Sequence, residues 1–329
     1  MPIRNTLLPT KRRFAAGIDL GPREVRLAVL SQRGRGAGPV SVECLAVAPL
    51  AGGAMAGAQI VDRAAVASAL NEAFAQLPDT CATRKLTCAM AVPGSATVVA
   101  SVALSRLTPR TPRATPLQVL SGIEPAVMAE AERVAGIERH ALAVDWFIDD
   151  APREASGNAP SVTIAATPRQ HLEARVEAAA AAGIELIALD GEPPAALRAL
   201  RHAAELELNP RERYAALWVG GDGVYGWRMA NGVAEAHIRY PAPEHADLAD
   251  ALRELADGGA LGCALIGGEL DLLGSAGLAI ADVGDLLGCS VLPFECGSFC
   301  DGSSRVSAEL RHASSFAVAF GLALRGVFE

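Results

Sequence analysis

Asp19-Leu20-Gly21 sits between the apolar run of residues 14–18 and the alternating run of residues 25–30, so it has the form of strand, carboxylate, glycine and returning strand. In such a hairpin the backbone N–H groups can face a phosphate, and a carboxylate at the strand end can hold Mg²⁺ through water. Asp and Gly are equally the residues of an ordinary hairpin turn, so the tripeptide alone decides nothing. A second turn, Gly220-Gly221-Asp222-Gly223, places three glycines in four residues and would let backbone approach a ligand closely if it faced the first turn across a cleft. A ligand-free β-turn is the competing reading. Gly267-Gly268 closes a third apolar run, at the carboxyl end of a strand, where α/β sheets hold nucleotides. The order of these features says more than any one of them.

The elements that must position them follow from periodicity. Residues 14–30 read as a β-hairpin and residues 41–48 as a third strand. Asp62 caps a helix through residue 77, with Val66, Leu70, Phe74 and Leu77 on one face, and residues 86–92 return as a strand parallel to the first. Residues 108–116, crowded with Pro, Thr and Arg, lead into a helix around 127–135. Strands follow at 141–148 and 162–166, a helix at 168–182 ended by Gly183, and a strand at 184–189. After Asp190-Gly191-Glu192-Pro193-Pro194 and a helix at 195–206, the opening order recurs: strand, glycine turn, strand, third strand, helix and buried strand. This internal repeat is one of element order, with little residue identity.

The 329 residues suit two lobes, and 51% apolar residues with only 4% aromatics suit a core of Ala, Val, Leu and Ile in α/β layers. A net charge of -8 argues against a nucleic-acid binder that relies on bulk attraction to phosphate. The longest uncharged stretch, 86–105, is interrupted by Pro93-Gly94-Ser95 and reads as strand, turn, strand rather than a membrane span; residues 1–13 are basic without a signal-peptide pattern, which points to the cytoplasm. Seven cysteines without C-x-x-C spacing read as reduced thiols, and Cys296 with Cys300 lacks the second pair that a metal clip needs.

The chain resembles the PilM family of type IV pilus assembly. The resemblance is carried by Gly17-Ile18-Asp19-Leu20-Gly21 with residues 25–30, Ala89-Met90-Ala91-Val92-Pro93-Gly94-Ser95-Ala96, Asp190-Gly191-Glu192, Ile266-Gly267-Gly268, and the glycine-containing tail from Phe316 to Gly326. It implies an actin-like (ribonuclease H-like, duplicated) two-lobed α/β fold similar to FtsA, with a first lobe over 14–190 carrying a small inserted subdomain at about 100–188. The second lobe would cover 191–329, with a C-terminal helix at about 314–326 packing back on the first. It implies ATP with Mg²⁺ between the lobes, on Asp19, Gly21, Gly220, Gly221, Gly267 and Gly268, with Asp19 nearest the metal; Asp222 could substitute from inside the second turn for the missing carboxylate, or, as turn Asp residues commonly do, satisfy its own backbone. Glu192 would lie near the hinge, where it could orient water or simply stabilise its helix dipole.

The same resemblance implies docking of the cytoplasmic tail of PilN, contact with other pilus platform proteins and the motor, homo-oligomerisation in the assembly, and a peripheral place at the inner membrane. The small subdomain and adjoining lobe are expected to form the tail's groove, accepting an added strand. Residues 3–9, Ile-Arg-Asn-Thr-Leu-Leu-Pro, imitate the Asn-Leu-Leu-Pro-containing tail of that partner. Two departures weaken the nucleotide: Trp218 stands where the family has an Asp before its second turn, and Pro22 stands where it has a Ser or Thr. The resulting expectation is an adaptor with at most weak ATP binding and negligible hydrolysis. The alternatives are a GspL-like structural adaptor of type II secretion without nucleotide, or a kinase of the same superfold, which would need an acidic base aimed at a substrate hydroxyl.

Overall fold

Residues 14–30 fold as the hairpin their period predicts: β1 (Arg12–Leu20) and β2 (Glu24–Arg33) run antiparallel, and β3 (Val40–Pro49) continues the meander. The computed structural model describes residues 12–34, 38–82, 86–107, 116–149, 160–240, 245–301 and 306–328. The segments 3–9 and most of 108–116 and 149–160 lie outside them. After a two-residue hairpin, β4 (Met55–Ala56) and β5 (Gln59–Ile60), Asp62 caps α1 (Arg63–Ala75) by accepting from the Ala65 amide at 3.0 Å. A short α2 (Asp79–Ala82) leads to β6 (Thr87–Val92), which pairs parallel to β1 because α1 carries the chain back across the sheet.

A separate three-stranded antiparallel sheet follows, of β7 (Val98–Ala103), β8 (Leu142–Asp149) and β9 (Ser161–Pro168) in the order β7-β9-β8. A short α3 (Leu104–Leu107) and the long α4 (Pro116–Ala135) join its first two strands. The helix begins at Pro116 rather than near 127, because proline suits a first helical turn, where its missing N–H has no partner to lose. Ile123, Val127 and Ala131 of α4 cover one face of the sheet. The chain rejoins the first lobe through α5 (Arg169–Ala181) and β10 (Leu186–Gly191), the latter parallel to β6. The inserted unit therefore ends at Pro168, not at 188: Ala174, Ala178 and Ala179 of α5 pack in the first lobe's core.

The second lobe repeats the order. Helix α6 (Glu192–Glu207) leads to β11 (Tyr214–Gly220), β12 (Gly223–Ala230), β13 (Val233–Tyr240), α7 (His245–Ala256) and β14 (Cys263–Gly268). Then come α8 (Leu272–Ser275), α9 (Ile280–Leu287), β15 (Ser290–Pro293), a short α10 (Ala308–Arg311) and α11 (Ala317–Phe328). The two large sheets have matching orders, β10-β6-β1-β2-β3 and β15-β14-β11-β12-β13. Helix α11 is buried along almost its whole length: it lies on β1, β2 and β6 and against α6, which lies in turn on β11 and β14. These two helices join the lobes through one apolar core.

Candidate functional site

The carboxyl ends of β1 and β11 face each other, and register makes their turns directly comparable. Leu20 pairs with Val25 and Val219 with Val224, each pair enclosing four residues. Gly21 therefore corresponds to Gly220, and one step back the cross-strand pair Asp19–Arg26 corresponds to Trp218–Tyr225. One lobe puts an ion pair at this position and the other an aromatic pair, with ring centroids 5.2 Å apart.

Between the turns lies a cavity of about 200 Å³, lined among others by Asp19, Gly21, Glu192, Gly220, Gly221, Asp222 and Gly268. Gly267 does not line it; it packs against Ala317 of α11 and Phe294, so its small size serves the core. Gly220 has a different reason to be glycine from the one its sequence suggests: the Trp218 indole lies over it, and a Cβ there would collide with the ring. Gly221 faces open space. Gly268, at φ +101°, turns the chain tightly enough that the Glu269 amide donates to the Val219 carbonyl at 2.8 Å. Asp190, one link in the family resemblance, points elsewhere: it pairs with Arg198 at 2.9 Å and Arg325 at 3.3 Å and fastens α6 and α11 to β10.

The periodic reading missed Arg26. It alternates with apolar neighbours as a solvent-facing residue would, yet both faces of β2 are covered and Arg26 is only 8% exposed. Its Nη1 lies 3.3 Å from Asp19 Oδ2, its Nε 2.7 Å from Glu24 Oε1, and its Nη2 2.8 Å from Glu269 Oε1 in the other lobe. Burial raises the Asp19 carboxyl above its ordinary range against the pull of Arg26. Burial works to lower the Arg26 guanidinium, but Asp19, Glu269 and Glu24 together hold it above its ordinary value.

On the opposite wall Glu192 Oε2 accepts from the Gly94 amide at 3.2 Å. Burial, with Asp19 and Asp222 close by, pushes its carboxyl up to about 8, against the Gly94 hydrogen bond and Arg175. Tyr225 donates its hydroxyl to Asp222 Oδ2 at 3.0 Å, and Arg239 reaches across the lobes to the Gly94 carbonyl at 3.3 Å while its guanidinium lies 5.4 Å from the Tyr225 ring centre. Gly94 itself is wedged in: a Cβ would sit 2.5 Å from the Tyr225 hydroxyl and 2.8 Å from Asp222. Behind the wall, fully buried Arg175 donates to the carbonyls of Ala91, Ala58 and His171, and desolvation lowers its guanidinium to about 10.

The residues present do not fit a magnesium nucleotide in this arrangement. Asp19, the expected metal carboxylate, is held by Arg26, and no cluster of three His, Cys, Asp or Glu side chains suited to a metal occurs among the described residues. The indole of Trp218 lies over Gly220 of the second glycine turn, and small-molecule pockets usually run to about 300–1,000 Å³ against about 200 Å³ here. A single atom favours a ligand: Asp222 Oδ1 is buried with no hydrogen-bond partner.

The sequence pattern described as "Type IV pilus assembly protein PilM" matches residues 17–217, more than half of the 329-residue chain. The chain belongs to the PilM family. Its structure is similar to a solved PilM-PilN type IV pilus biogenesis complex, with a TM-score of 0.70 at 19% identity, over 95% of this chain and 98% of that one. That likeness establishes the two-lobed actin-like fold for this PilM-family chain. Shallower matches are EutJ, an ethanolamine utilization protein from Carboxydothermus hydrogenoformans, with a TM-score of 0.46 at 14% identity over 99% and 94% of the chains, and the cytoplasmic domain of EpsL, a type II secretion component of Vibrio cholerae, with a TM-score of 0.40 at 13% identity over 78% and 82%. Likeness of that depth carries no argument. No curated protein matches the chain in sequence.

Proposed function

We propose that this PilM-family chain works as an adaptor that docks the extended cytoplasmic tail of a PilN-type partner on the small inserted sheet. The observation that carries the reading is the sheet's open face. With α4 on one side, Val99 of β7 and Phe147 of β8 project from the other, each 60% exposed, around Ala165 and Thr163 of β9. Strand β7 is also a sheet edge, able to pair with an added strand while apolar side chains seat on the face. The protein would then sit at the inner membrane through its partner; no helix among the described residues is long and apolar enough to cross a membrane.

Adenine nucleotide enters this reading only as a weak ligand, since Arg26 and Asp19 already satisfy each other. Turnover forms no part of it. Titration of the full chain with a synthetic partner tail is the test: Val99→Asp and Phe147→Asp should each weaken binding at least tenfold while leaving the fold intact, since both sites are solvent-exposed. Unchanged affinity in both variants would place the tail elsewhere.

A further inference from the structure

We propose that Glu269 is a built-in anion that takes the place of a ligand's phosphate at Arg26 and latches the two lobes closed without nucleotide. Arg26 is the one Lys or Arg among the described residues lining the cavity, so an incoming phosphate would seek its guanidinium. All three of its nitrogens are engaged, by Asp19, Glu24 and Glu269. Two of these carboxylates belong to its own hairpin. The third comes from the opposite lobe, 243 residues away in sequence, and makes a contact of 2.8 Å.

Glu269 is held ready for this role by its backbone. It follows Gly268, whose positive φ no side chain could share, because a Cβ there would run into the Val219 backbone. The Glu269 amide is fixed to the Val219 carbonyl at 2.8 Å, so the carboxylate is presented to the cleft without a loop having to be ordered. Arg23 Nη2 lies 3.8 Å from the second carboxylate oxygen and adds a further positive charge on the same side. Carboxylate and phosphate are recognised by a guanidinium through the same charge-assisted hydrogen bonds, so the two compete for one seat. Arg239 and Gly94 close the other wall by a direct hydrogen bond between lobes. The latch is independent of tail docking, so tail affinity and latch behaviour fail separately.

The test is isothermal titration of the full chain with Mg·ATP and, separately, with inorganic pyrophosphate. Wild type should bind both in the millimolar range or more weakly. Glu269→Gln removes the competing charge at nearly constant shape and should tighten both by about tenfold or more, the scale of one charge-assisted contact. Adding Arg26→Gln to that variant should abolish the gain. Hydrogen exchange without ligand should quicken at the amides of residues 94–96 and 268–270 in Glu269→Gln, since the lobes lose their tie. If the Gln variant does not fold, Glu269→Asp, which keeps the charge but shortens its reach, should show a smaller gain of the same sign. Binding by the folded single Glu269 variant no tighter than wild type, a gain that survives the added Arg26→Gln, or wild type saturating at micromolar Mg·ATP, overturns the proposal.

Discussion

Gly321→Ala tests whether the two lobes share one tightly packed core. Gly321 lies mid-way along α11, and a Cβ there would meet the backbone carbonyl of Ala195 in α6 closer than the 3.0 Å that real Cβ atoms keep. Sliding α11 away offers no relief. On its other side Gly17 of β1 is pressed against the Ala319 carbonyl, and Gly326 lies against Ala15. Overpacking a core typically costs about 1–3 kcal/mol, and because rigid backbone stands on both sides here a cost of about 3–4 kcal/mol is expected. The better helix propensity of Ala returns about 1 kcal/mol, leaving a net loss of about 2–3 kcal/mol. With a urea slope near 3 kcal/mol per M for a chain of this size, the unfolding midpoint should fall by roughly 0.7–1 M. Gly274→Ala is the control: it sits in α8 with nothing within 4 Å of its would-be Cβ, and its midpoint should hold or rise. A Gly321→Ala midpoint within about 0.3 M of wild type would refute the reasoning that α11 is pinned on both sides.

Further outcomes follow from other sites. Because Glu192 is raised to about 8, the native state keeps a proton that the unfolded chain releases near its ordinary 4.5, so this group's contribution is full below that value and is lost as pH rises through 8. Glu192→Gln should therefore shrink the drop in urea midpoint between about pH 5 and pH 8.5, and an equal drop in both proteins would show that Glu192 is not held protonated. Trp218→Asp should destabilise the chain rather than restore a nucleotide carboxylate: the indole is 4% exposed, Trp truncation in a core costs about 3–5 kcal/mol, and the new charge would lack a partner beside Asp222. A folded variant with unchanged melting temperature counts against that. Burial pushes Cys44 and Cys88 up to about 11 and raises Cys296 as well, so all three should resist Ellman's reagent at about pH 8 until denaturant is added.

The hairpins, their third strands and the glycine turns were legible because period-two alternation and turn residues are local signals. Asp19 and Gly21 stood out for the same reason. Arg26 did not, since alternation assigns one face of a strand to solvent, and only the return of α11 to β1 and β2 tells that this face is covered. The Arg26–Glu269 pair joins residues that no short window contains. Trp218 was visible as a departure, but that its ring folds onto Gly220 depends on side-chain direction. Gly267 misled because a glycine after a buried strand reads the same whether a ligand or a helix approaches it. Helix α9 and β15 passed unread, being short and punctuated by Gly284 and Gly288.

The place of α11 bears on how the protein is made. Strand β1 begins at Arg12 and the helix that covers it begins at Ala317, 305 positions later. At about 5–20 residues per second, a ribosome needs roughly 15 s to a minute to travel that distance. Within that interval the first sheet gains its strands, the last of them β10, and α1 on one side, while the side formed by Ala15, Ala28 and Leu30 still lacks α11 to bury against. The nascent first lobe thus carries a sticky apolar surface until its last helix emerges, and its yield in the cell will depend on how well chaperones shield that surface in the meantime.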